Sequence, residues 1–587
     1  MLLQRTLFAH LDPAVPRDLY ATGGDRSRVA VTVQAGELVD TDTYFGRFPA
    51  SWWQRWTDVR AVTVSLDVDG EVAVEVCAGD WAGREQVVRS ATASGAWSAV
   101  VPLDRFADGG ALWLRLRAQS PSTVSSVRWS AEGGSVRRVA LAMCTFDRAD
   151  SANATLTSLA ADPAVVERVS SVYVVDQGTD LVSSRPEFAQ TAAVLGDRLR
   201  VLRQGNLGGS GGFARGMYEA TRDGDEVDVV VMDDDIRLEP ESLLRLIAFS
   251  AFAARRVLVG AQMLSMAEPT RLHLSAERPA IANMQAGVPS PGALVGVDVT
   301  VESQDRYVDS GWNGWWTCLI PGEAITAAGL PLPFFLQWDD IEFGVRARGS
   351  GFPTVTLPGA GVWHEDFRLK DRDSWSRYFA VRNGLVVGAL HAGLDGKHYA
   401  RLIATDLART VAAMQYGLAA TKLRALEDFL SGPSCLSDGG TSRLGELAAL
   451  RSEYPDSAVV PAVEVAGRHV DVVPAGPEPS ALDRVLAKRL VQQALGRVDP
   501  RPVSIPAHDA QWWHVARFGD AAVTDAGQGG VHRRRRDRAA AVELGRRAAA
   551  LCLELRRRAP ELRSEYLAAR DDLTSRANWE RLFGFGG

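Results

Sequence analysis

The first part of the chain alternates apolar and polar positions every two residues, a pattern typical of half-buried β-strands. Residues 59–79 alternate on both sides of Asp69-Gly70, a pair that favours a hairpin turn. A second alternating run begins at Ala111. Several such strands in succession predict that residues 1–135 form an antiparallel β-sandwich domain.

The pattern changes near residue 136, where short and wholly apolar runs begin to alternate with helical stretches. These runs lie at 139–144, 171–176, 227–233 and 257–261. Wholly apolar strands separated by helices are typical of a parallel sheet that is covered on both faces. The sequence therefore predicts an α/β, Rossmann-like domain over residues 136–370. Ligands of such domains bind at the carboxyl ends of the strands, so the polar residues that follow each strand are the candidates for chemistry.

From about residue 371 the apolar positions recur at intervals of three and four residues, which places them on one face of a helix. Two runs show this spacing: Leu407, Val411, Met414 and Leu418, and Leu544, Ala548, Leu551 and Leu555. Residues 371–587 are therefore expected to form a helical domain.

Composition narrows the class of protein. Hydrophobic residues make up 46% of the chain and charged residues 23%, a globular balance that excludes disorder along its whole length. A net charge of −7 argues against a nucleic-acid binder. The five cysteines are dispersed without a Cys-x-x-Cys pair, which fits a reducing compartment. We see no signal peptide and no apolar stretch near the length of a spanning helix, so we expect a cytoplasmic protein.

Tryptophan is abundant, and Trp52, Trp53 and Trp56 form a cluster near the N-terminus. Exposed indole rings often stack on sugars, but tryptophan is also an ordinary core residue. We favour packing in the core or between domains for this cluster.

The sharpest chemical feature is the triplet Asp233-Asp234-Asp235, which follows an apolar strand. Adjacent carboxylates repel one another unless a cation lies between them. Mg²⁺ or Mn²⁺ takes oxygen ligands and also bridges to substrate phosphates. Alternate side chains of an extended segment point the same way, so Asp233 and Asp235 are expected to face one ion. The alternative is a solvated acidic turn.

Three other features add to the triplet. Asp339-Asp340 precedes a helical stretch, where acidic residues also stabilise the helix N-terminus. His364 follows an aromatic residue and is either a metal ligand or structural. The glycine-rich segment 206–213 lets backbone N–H groups approach a diphosphate at a helix N-terminus, although a flexible loop is the plain alternative.

Together, these residues resemble the GT-A glycosyltransferases of the family-2 type. That resemblance implies that Asp233, Asp235 and His364 hold the cation and that Asp340 is the general base, with Asp339 holding acceptor hydroxyls. The chemistry of the reaction agrees with these roles. Inversion at an anomeric carbon needs a base on the face opposite the leaving diphosphate, and it needs a positive charge that stabilises that diphosphate.

Further segments resemble, in chain order, the galactofuranosyltransferases that polymerise the galactan of actinobacterial cell walls, the galactan of arabinogalactan. The matching segments are 48–53, 145–148, 176–178, 206–209, 233–235, 314–316, 338–340 and 363–364. One departure is Asp147, where that family usually has asparagine.

The family resemblance implies a substrate pair and further site residues. The donor is UDP-galactofuranose, and the acceptor is a galactan on a polyprenyl-diphosphate lipid that grows by alternating β-(1→5) and β-(1→6) links. It also implies Mn²⁺ or Mg²⁺ and a homo-oligomer, a tetramer. The residues implied to contact the donor are Arg148, Gln177, Asn206 and Asp234, and those implied to shape the acceptor site are Trp315, Trp316 and Asp339.

A basic run at 532–538 is the strongest positive patch of the chain. On an anionic bilayer each basic residue contributes about 1 kcal/mol, so the run predicts peripheral binding to the inner face of the plasma membrane. The alternative is a solvated helix start.

Three other functions stay open at this point: an inverting enzyme with a different nucleotide-sugar donor, a non-catalytic carbohydrate-binding protein, and a nucleotidyltransferase.

Overall fold

The computed structural model describes residues 1–367, 370–464 and 471–585. An N-terminal antiparallel β region is followed by a central α/β region with a mixed sheet and by a C-terminal region that is mainly helical. The candidate chemistry lies at the carboxyl ends of strands of the central sheet.

The N-terminal region contains one helix, α1 (Ala50–Trp56), and eight strands: β1 (Leu2–Arg5), β2 (Asp25–Arg26), β3 (Ala30–Val33), β4 (Leu38–Asp40), β5 (Ala61–Asp80), β6 (Glu85–Pro102), β7 (Gly110–Ala118) and β8 (Ser122–Ser130). All eight belong to one sheet of order β2-β3-β8-β5-β7-β4, in which β1 also pairs with β8 and β6 with β5. The predicted antiparallel β domain is confirmed, and its strands are joined in a single hydrogen-bonded sheet.

The hairpin expected at Asp69-Gly70 is wrong, because β5 runs through that position as one strand of 20 residues. Gly70 has a φ of +108°, and the pairing of β5 with β6 shifts register between Val68 and Val72. On its other edge β5 changes partner here, from β8 to β7. A glycine bulge therefore bends a continuous strand at a position where the sequence resembles a turn.

In its described residues, the central region contains ten strands and seven α-helices, besides short 3₁₀ helices. The strands are β9 (Arg138–Thr145), β10 (Ser171–Asp176), β11 (Leu199–Arg203), β12 (Val227–Asp233), β13 (Ile236–Leu238), β14 (Leu258–Ser265), β15 (Glu277–Ala280), β16 (Gln285–Pro289), β17 (Thr317–Pro321) and β18 (Thr354–His364). The helices are α2 (Ala149–Ala160), α3 (Pro163–Arg168), α4 (Pro186–Leu195), α5 (Gly208–Ala220), α6 (Pro240–Phe252), α7 (Gly322–Ala328) and α8 (Asp339–Gly349).

Eight of these strands form the central sheet, in the order β11-β10-β9-β12-β17-β14-β18-β13. The first four are parallel, as predicted, but β17 is antiparallel to both of its neighbours. The expectation of a wholly parallel sheet is therefore wrong. A strand buried on both faces is apolar throughout, whichever way it runs, so its sequence does not encode its direction.

The tryptophan cluster packs between regions. Trp52 and Trp53 of α1 are buried, and the ring of Trp53 packs edge-on against Phe249 and Phe252 of α6. The indole nitrogen of Trp56 donates to the hydroxyl of Tyr307 at 2.9 Å. The packing interpretation of this cluster therefore agrees with the structure.

The C-terminal region contains eight helices and five strands within its described residues. The helices are α9 (Arg377–His391), α10 (Gly396–Ala412), α11 (Tyr416–Leu430), α12 (Arg443–Ser452), α13 (Leu482–Leu495), α14 (Trp512–Val515), α15 (Arg538–Leu573) and α16 (Arg576–Phe583). The strands are β19 (Val459–Pro461), β20 (Asp471–Val472), β21 (Asp499–Ile505), β22 (Phe518–Thr524) and β23 (Gly530–Arg535). The helical prediction is confirmed, but the sheet of order β19-β23-β22-β21-β20 was not predicted.

The two predicted helical runs have different outcomes. Leu544 and Leu555 lie buried on the single long helix α15, as expected. The run from Leu407 to Leu418 is interrupted, because Met414 has a φ of +58° and separates α10 from α11. Helices α10 and α11 both pack against α15. The apolar residues on either side of the break therefore belong to faces that pack against the same helix.

The basic run lies on strand β23 and at the start of α15, so the interpretation as a simple helix start is wrong. Alternate side chains of a strand point to opposite faces, and here His532 and Arg534 are buried. Arg534 pairs with Asp373 at 2.6 Å, and His532 lies 2.8 Å from a carboxylate oxygen of Asp371. Only part of the run, including Arg535 and Arg538, is exposed.

Across the described residues, no helix combines the length and the apolar character needed to cross a bilayer.

Candidate active site

Two carboxylates and an imidazole converge where strands β12 and β18 end. Asp233 is the last residue of β12, Asp235 follows it, and His364 is the last residue of β18. The Nε2 atom of His364 lies 3.2 Å from Asp235 Oδ1 and 3.7 Å from Asp233 Oδ2, and one ligand atom from each residue lies within 4.8 Å of the others. Carboxylate oxygens bind both Mn²⁺ and Mg²⁺, and an imidazole nitrogen is a ligand for transition metals, so this donor set fits Mn²⁺ best.

The charges of this cluster also suit a cation. Burial alone lowers the pKa of His364, but hydrogen bonds and charge from Asp233 and Asp235 outweigh burial and raise that pKa to about 10. Burial raises the pKa of Asp235, yet His364 and Arg148 outweigh it and hold that pKa below its usual range. The pair of carboxylates thus retains a proton on the imidazole, and a metal ion would take the place of that positive charge.

Asp234 and Arg148 lie beside this cluster. Burial, followed by the charges of Asp235 and Asp233, raises the pKa of Asp234 to about 7. An Nη1 donor of Arg148 lies 2.6 Å from Asp235 Oδ2, while about half of the Arg148 side chain remains exposed. The guanidinium is therefore held at the rim of the cluster, where it can also meet an anionic ligand.

A second acidic pair opens helix α8. Asp339 and Asp340 are its first two residues, and Asp340 Oδ1 accepts from the backbone N–H of Ile341 at 2.8 Å. Burial raises the pKa of Asp339 to about 7, and burial with the charge of Asp339 raises the pKa of Asp340 well above its usual range. A carboxylate whose proton affinity is raised in this way suits a general base near neutral pH.

The two acidic groups face one cavity of about 520 Å³. Its walls include eight of the residues singled out from the sequence: Asp233, Asp234, Asp235, Trp315, Trp316, Asp339, Asp340 and His364. Trp315 and Trp316 are largely buried, so little of either ring is accessible. The Trp315 ring packs edge-on against Phe213, and Trp316 Nε1 donates to the carbonyl of Ala261 at 2.8 Å. The cavity therefore joins the Asp233–Asp235–His364 cluster, a candidate metal site, to a buried acidic edge.

Comparison with protein families matches almost the whole chain. Residues 4–132 match the family described as "Galactofuranosyltransferase 2 N-terminal", and residues 137–383 match "Glycosyltransferase like family 2". Residues 402–585 match "Galactofuranosyltransferase-2, domain 3".

Among curated proteins, the chain is 37% identical to galactofuranosyltransferase GlfT2 of Mycolicibacterium smegmatis, over 94% of this chain and 90% of that protein. It is 35% identical to galactofuranosyltransferase GlfT2 of Mycobacterium tuberculosis, over 94% of this chain and 91% of that protein. The chain belongs to the GlfT2 family of galactofuranosyltransferases. It is therefore a glycosyltransferase, and the family resemblance and the GT-A fold class predicted from the sequence are confirmed.

Solved structures resemble this GlfT2-family enzyme over part of its length. A mannosyltransferase of Pyrobaculum calidifontis, in complex with GDP-Man and Mn²⁺, is 15% identical, with a TM-score of 0.29 over 43% of this chain and 63% of its own. GalNAc-T7 with UDP, GalNAc and Mn²⁺ is 12% identical, with a TM-score of 0.35 over 47% of this chain and 52% of its own.

Membership of the GlfT2 family excludes two of the open alternatives, the non-catalytic binding protein and the nucleotidyltransferase. It leaves open the linkage, the acceptor and the roles of individual residues. The predicted domain boundaries at residues 135 and 370 also stay predictions.

Three predicted donor-binding residues of the GlfT2-family site, Arg148, Gln177 and Asn206, do not line the cavity. Arg148 lines a neighbouring cavity that also includes Asp235. The other two side chains hydrogen-bond to the glycine-rich turn. Gln177 Nε2 donates to the carbonyl of Gly208 at 2.9 Å, and its Oε1 accepts from the N–H of Leu207 at 2.9 Å. Asn206 Oδ1 accepts from the N–H of Gly208 at 2.9 Å. Both side chains therefore shape the turn that leads into α5, and their direct contact with a donor stays a prediction.

Sequence reasoning missed Glu277, which lies on β15 and lines the same cavity. Its side chain is buried, and burial raises its pKa to about 7. Nothing in the sequence points to this residue, because it belongs to no acidic cluster and follows no apolar strand of the central sheet. The fold of the β15–β16 hairpin places Glu277 in the same cavity as Asp339 and Asp340.

The segment that leads into Asp339 has an unusual backbone. Phe335, Gln337 and Trp338 have φ values of +71°, +70° and +72°, the left-handed region that favours glycine. Each such residue costs on the order of 1–3 kcal/mol, so this arrangement persists only where surrounding contacts fix it.

Proposed function

We propose that this enzyme adds β-galactofuranose from UDP-galactofuranose to a polyprenyl-diphosphate-linked galactan, with inversion, making β-(1→5) and β-(1→6) links. The observation that carries the proposal is the cavity in which Asp233, Asp235 and His364 face Asp339 and Asp340. One edge can bind the diphosphate of the donor through a cation, and the other can activate the hydroxyl of the acceptor.

On the donor side, Asp233, Asp235 and His364 would hold Mn²⁺ or Mg²⁺. When bound, that ion supplies positive charge to the leaving diphosphate. Arg148 lies at the rim of the cluster, so we infer that its guanidinium binds the same phosphates. We infer that Asp234 contacts the nucleotide or the sugar, and that the turn shaped by Gln177 and Asn206 contacts the donor as well.

On the acceptor side, Asp340 would take the proton of the attacking hydroxyl, and Asp339 would hold a neighbouring hydroxyl. Burial and the adjacent carboxylate raise the proton affinity of Asp340, which is what a base acting on a sugar hydroxyl requires. The accessible edges of Trp315 and Trp316 would limit how the acceptor enters.

A donor screen tests the proposal. Purified enzyme, Mn²⁺ and a short galactofuranose oligosaccharide would be incubated with each of several UDP-sugars, and the products read by mass spectrometry. We expect extension with UDP-galactofuranose alone and its loss in EDTA. Extension with another donor would support the remaining alternative, an inverting transferase of different donor specificity.

We further infer that the lipid of the acceptor brings this enzyme to the cytoplasmic face of the plasma membrane. Exposed Arg535 and Arg538 supply positive charge there, whereas Arg534 is buried in an ion pair and cannot contribute. Flotation with anionic liposomes tests this inference. Equal flotation of the wild type and an Arg535→Gln/Arg538→Gln variant would contradict a role for these residues.

The family resemblance also predicts a homo-tetramer. Sedimentation equilibrium of the full chain gives its mass in solution, and a monomer would contradict that prediction.

A further inference from the structure

The strained segment before the acidic pair is held by the C-terminal helix α9. Asn383 on this helix is fully buried. Its Nδ2 atom lies 2.9 Å from the carbonyl oxygen of Leu336, 2.9 Å from that of Gln337 and 3.2 Å from that of Phe334. One amide group thus donates to three carbonyls of the segment, the last of them two residues before Asp339.

Arg382 fixes the orientation of that amide. Its Nε donates to Asn383 Oδ1 at 2.9 Å, and its Nη2 donates to the carbonyl of Phe334 at 2.9 Å. A guanidinium has donors only, so the oxygen of the asparagine must face it and the NH₂ group must face the segment. The Arg382 guanidinium lies 5.3 Å and 5.1 Å from the ring centres of Tyr378 and Phe379, which restrict its movement.

The opposite side of the segment contacts the first turn of α5. Ser210 N–H donates to the carbonyl of Phe335 at 3.1 Å, and Ser210 Oγ donates to that of Leu332 at 2.5 Å. Trp338 Nε1 donates to the carbonyl of Ala380 on α9 at 3.1 Å. The segment therefore lies between the first turn of α5 and helix α9, and its carbonyl oxygens accept hydrogen bonds from both.

These contacts bear directly on catalysis. Left-handed φ values at bulky residues are stable only where the surroundings fix them, and here the donors of Asn383 meet the carbonyls between those residues. Without Asn383 the segment can relax to ordinary φ values, and the start of α8 would turn with it. The carboxylates that open α8 would then move relative to the metal-binding edge.

We propose that Asn383, oriented by Arg382, is a positioning residue that holds Asp340 where it can accept the proton of the acceptor hydroxyl. The inference rests on the proposed role of Asp340 as the base. Both side chains lie on α9, within the residues that match the glycosyltransferase family model, so the positioning role belongs to that part of the chain.

The test compares Asn383→Ala with the wild type at saturating donor and Mn²⁺. Alanine removes both N–H donors of the amide, and with them all three contacts to the segment, without adding bulk. A displacement of the base by about 1 Å lowers kcat on the order of 100-fold, while the dissociation constant for UDP with Mn²⁺ should stay within about twofold. Arg382→Lys keeps the charge but cannot orient the amide in the same way. It should lower kcat by a smaller factor than Asn383→Ala does, again without weakening the binding of UDP.

Gln493→Ala is the matched control. Gln493, in the C-terminal domain, is also a buried amide, and its Nε2 donates to the carbonyls of Ala516 and Phe518 at 3.2 and 3.0 Å, away from the cavity. We expect this variant to melt at a lower temperature while its kcat stays within about twofold of the wild type. If Asn383 had a merely structural role, Asn383→Ala would also melt at a lower temperature and keep its kcat within about twofold of the wild type. That result would overturn the proposal.

Parallel loss of UDP binding and kcat in Asn383→Ala would also overturn it, because the effect would then reach the whole cavity. If Asn383→Ala fails to fold, Asn383→Ser, which keeps one donor, must show the same separation of kcat from UDP binding. Asp340→Asn distinguishes the two proposals. An active Asp340→Asn overturns the base, whereas an inactive Asp340→Asn beside a fully active Asn383→Ala overturns the positioning role alone.

Discussion

Single carboxyl groups differ sharply in proton affinity within this one cavity. Asp235 has a lowered pKa because cationic His364 and Arg148 lie against it, although burial acts in the opposite direction. Asp340 has a raised pKa because it is buried beside another carboxylate. The same residue type can therefore bind a cation at one edge and accept a proton at the other.

Asp340→Asn tests the base at the scale of one atom. The amide keeps the size of the side chain but cannot accept the proton, so kcat should fall by about 10²–10⁴-fold. Binding of UDP should be unchanged, because only the transition state loses an interaction. Steady-state kinetics and calorimetric UDP titration measure the two quantities. Turnover near the wild-type rate would show that another group is the base.

His364→Ala tests the metal cluster. Removing one of the three proposed ligands should weaken Mn²⁺-dependent UDP binding by at least about tenfold, the lower end of the range for a lost interaction at a metal site. Calorimetric titration of UDP with and without Mn²⁺ measures the effect. His508→Ala is the control, because that histidine is largely exposed and does not line the cavity. Equal Mn²⁺ dependence in both variants would refute the cluster.

At the scale of elements, the turn before α5 packs directly against the strained segment before α8. Gly208 has a φ of +67°, and a Cβ built at that position would lie 2.0 Å from the carbonyl oxygen of Phe335. A side chain cannot fit there, since the nearest atom belongs to the backbone. The glycine therefore allows the donor-side turn and the acceptor-side segment to meet.

Gly208→Ala should destabilise the protein by about 1–3 kcal/mol, because alanine would strain the left-handed backbone and clash with Phe335. Denaturant unfolding measures the change. Gly205→Ala serves as the control three residues away, where a Cβ would meet nothing within 4 Å and φ lies outside the left-handed range. Equal stability of the two variants would contradict the close approach.

The whole molecule depends on charges buried between distant parts of the chain. Asp373, before α9, pairs with Arg534 of β23 at 2.6 Å and with Arg451 of α12 at 3.0 Å. Burial raises the pKa of Asp373, but these arginines outweigh it and hold the pKa below its usual range. A lowered folded-state pKa means that the pairing stabilises above the ordinary aspartate pKa and is lost as pH falls through the folded value.

Arg534→Ala should therefore destabilise the protein by about 3–5 kcal/mol at neutral pH, since it leaves Asp373 buried without its closest partner. The difference from the wild type should shrink as the pH is lowered and Asp373 is protonated. Arg535→Ala is the neighbouring control, because Arg535 is largely exposed and pairs only at the surface, with Asp520. Similar losses in the two variants would show that burial of the pair is not decisive.

Local chemistry was readable from the sequence. Strands 171–176 and 227–233 have the predicted bounds, because a buried strand is a short apolar run wherever it lies. The acidic triplet, Asp339-Asp340 and His364 were also singled out, since adjacent carboxylates signal unusual chemistry without knowledge of their partners. These features depend on neighbours in the chain.

Only the tertiary structure decided the rest. The direction of β17, the continuity of β5 through Gly70 and the burial of Arg534 all depend on partners far away in sequence. Gln177 follows a strand, as a ligand-binding residue should, yet its hydrogen bonds go to the glycine-rich turn. Glu277 and Asn383 carry no signal at all. The spacing of apolar residues along the chain predicts which face of an element is buried. The packing of segments that are distant in sequence decides which atoms lie against that face.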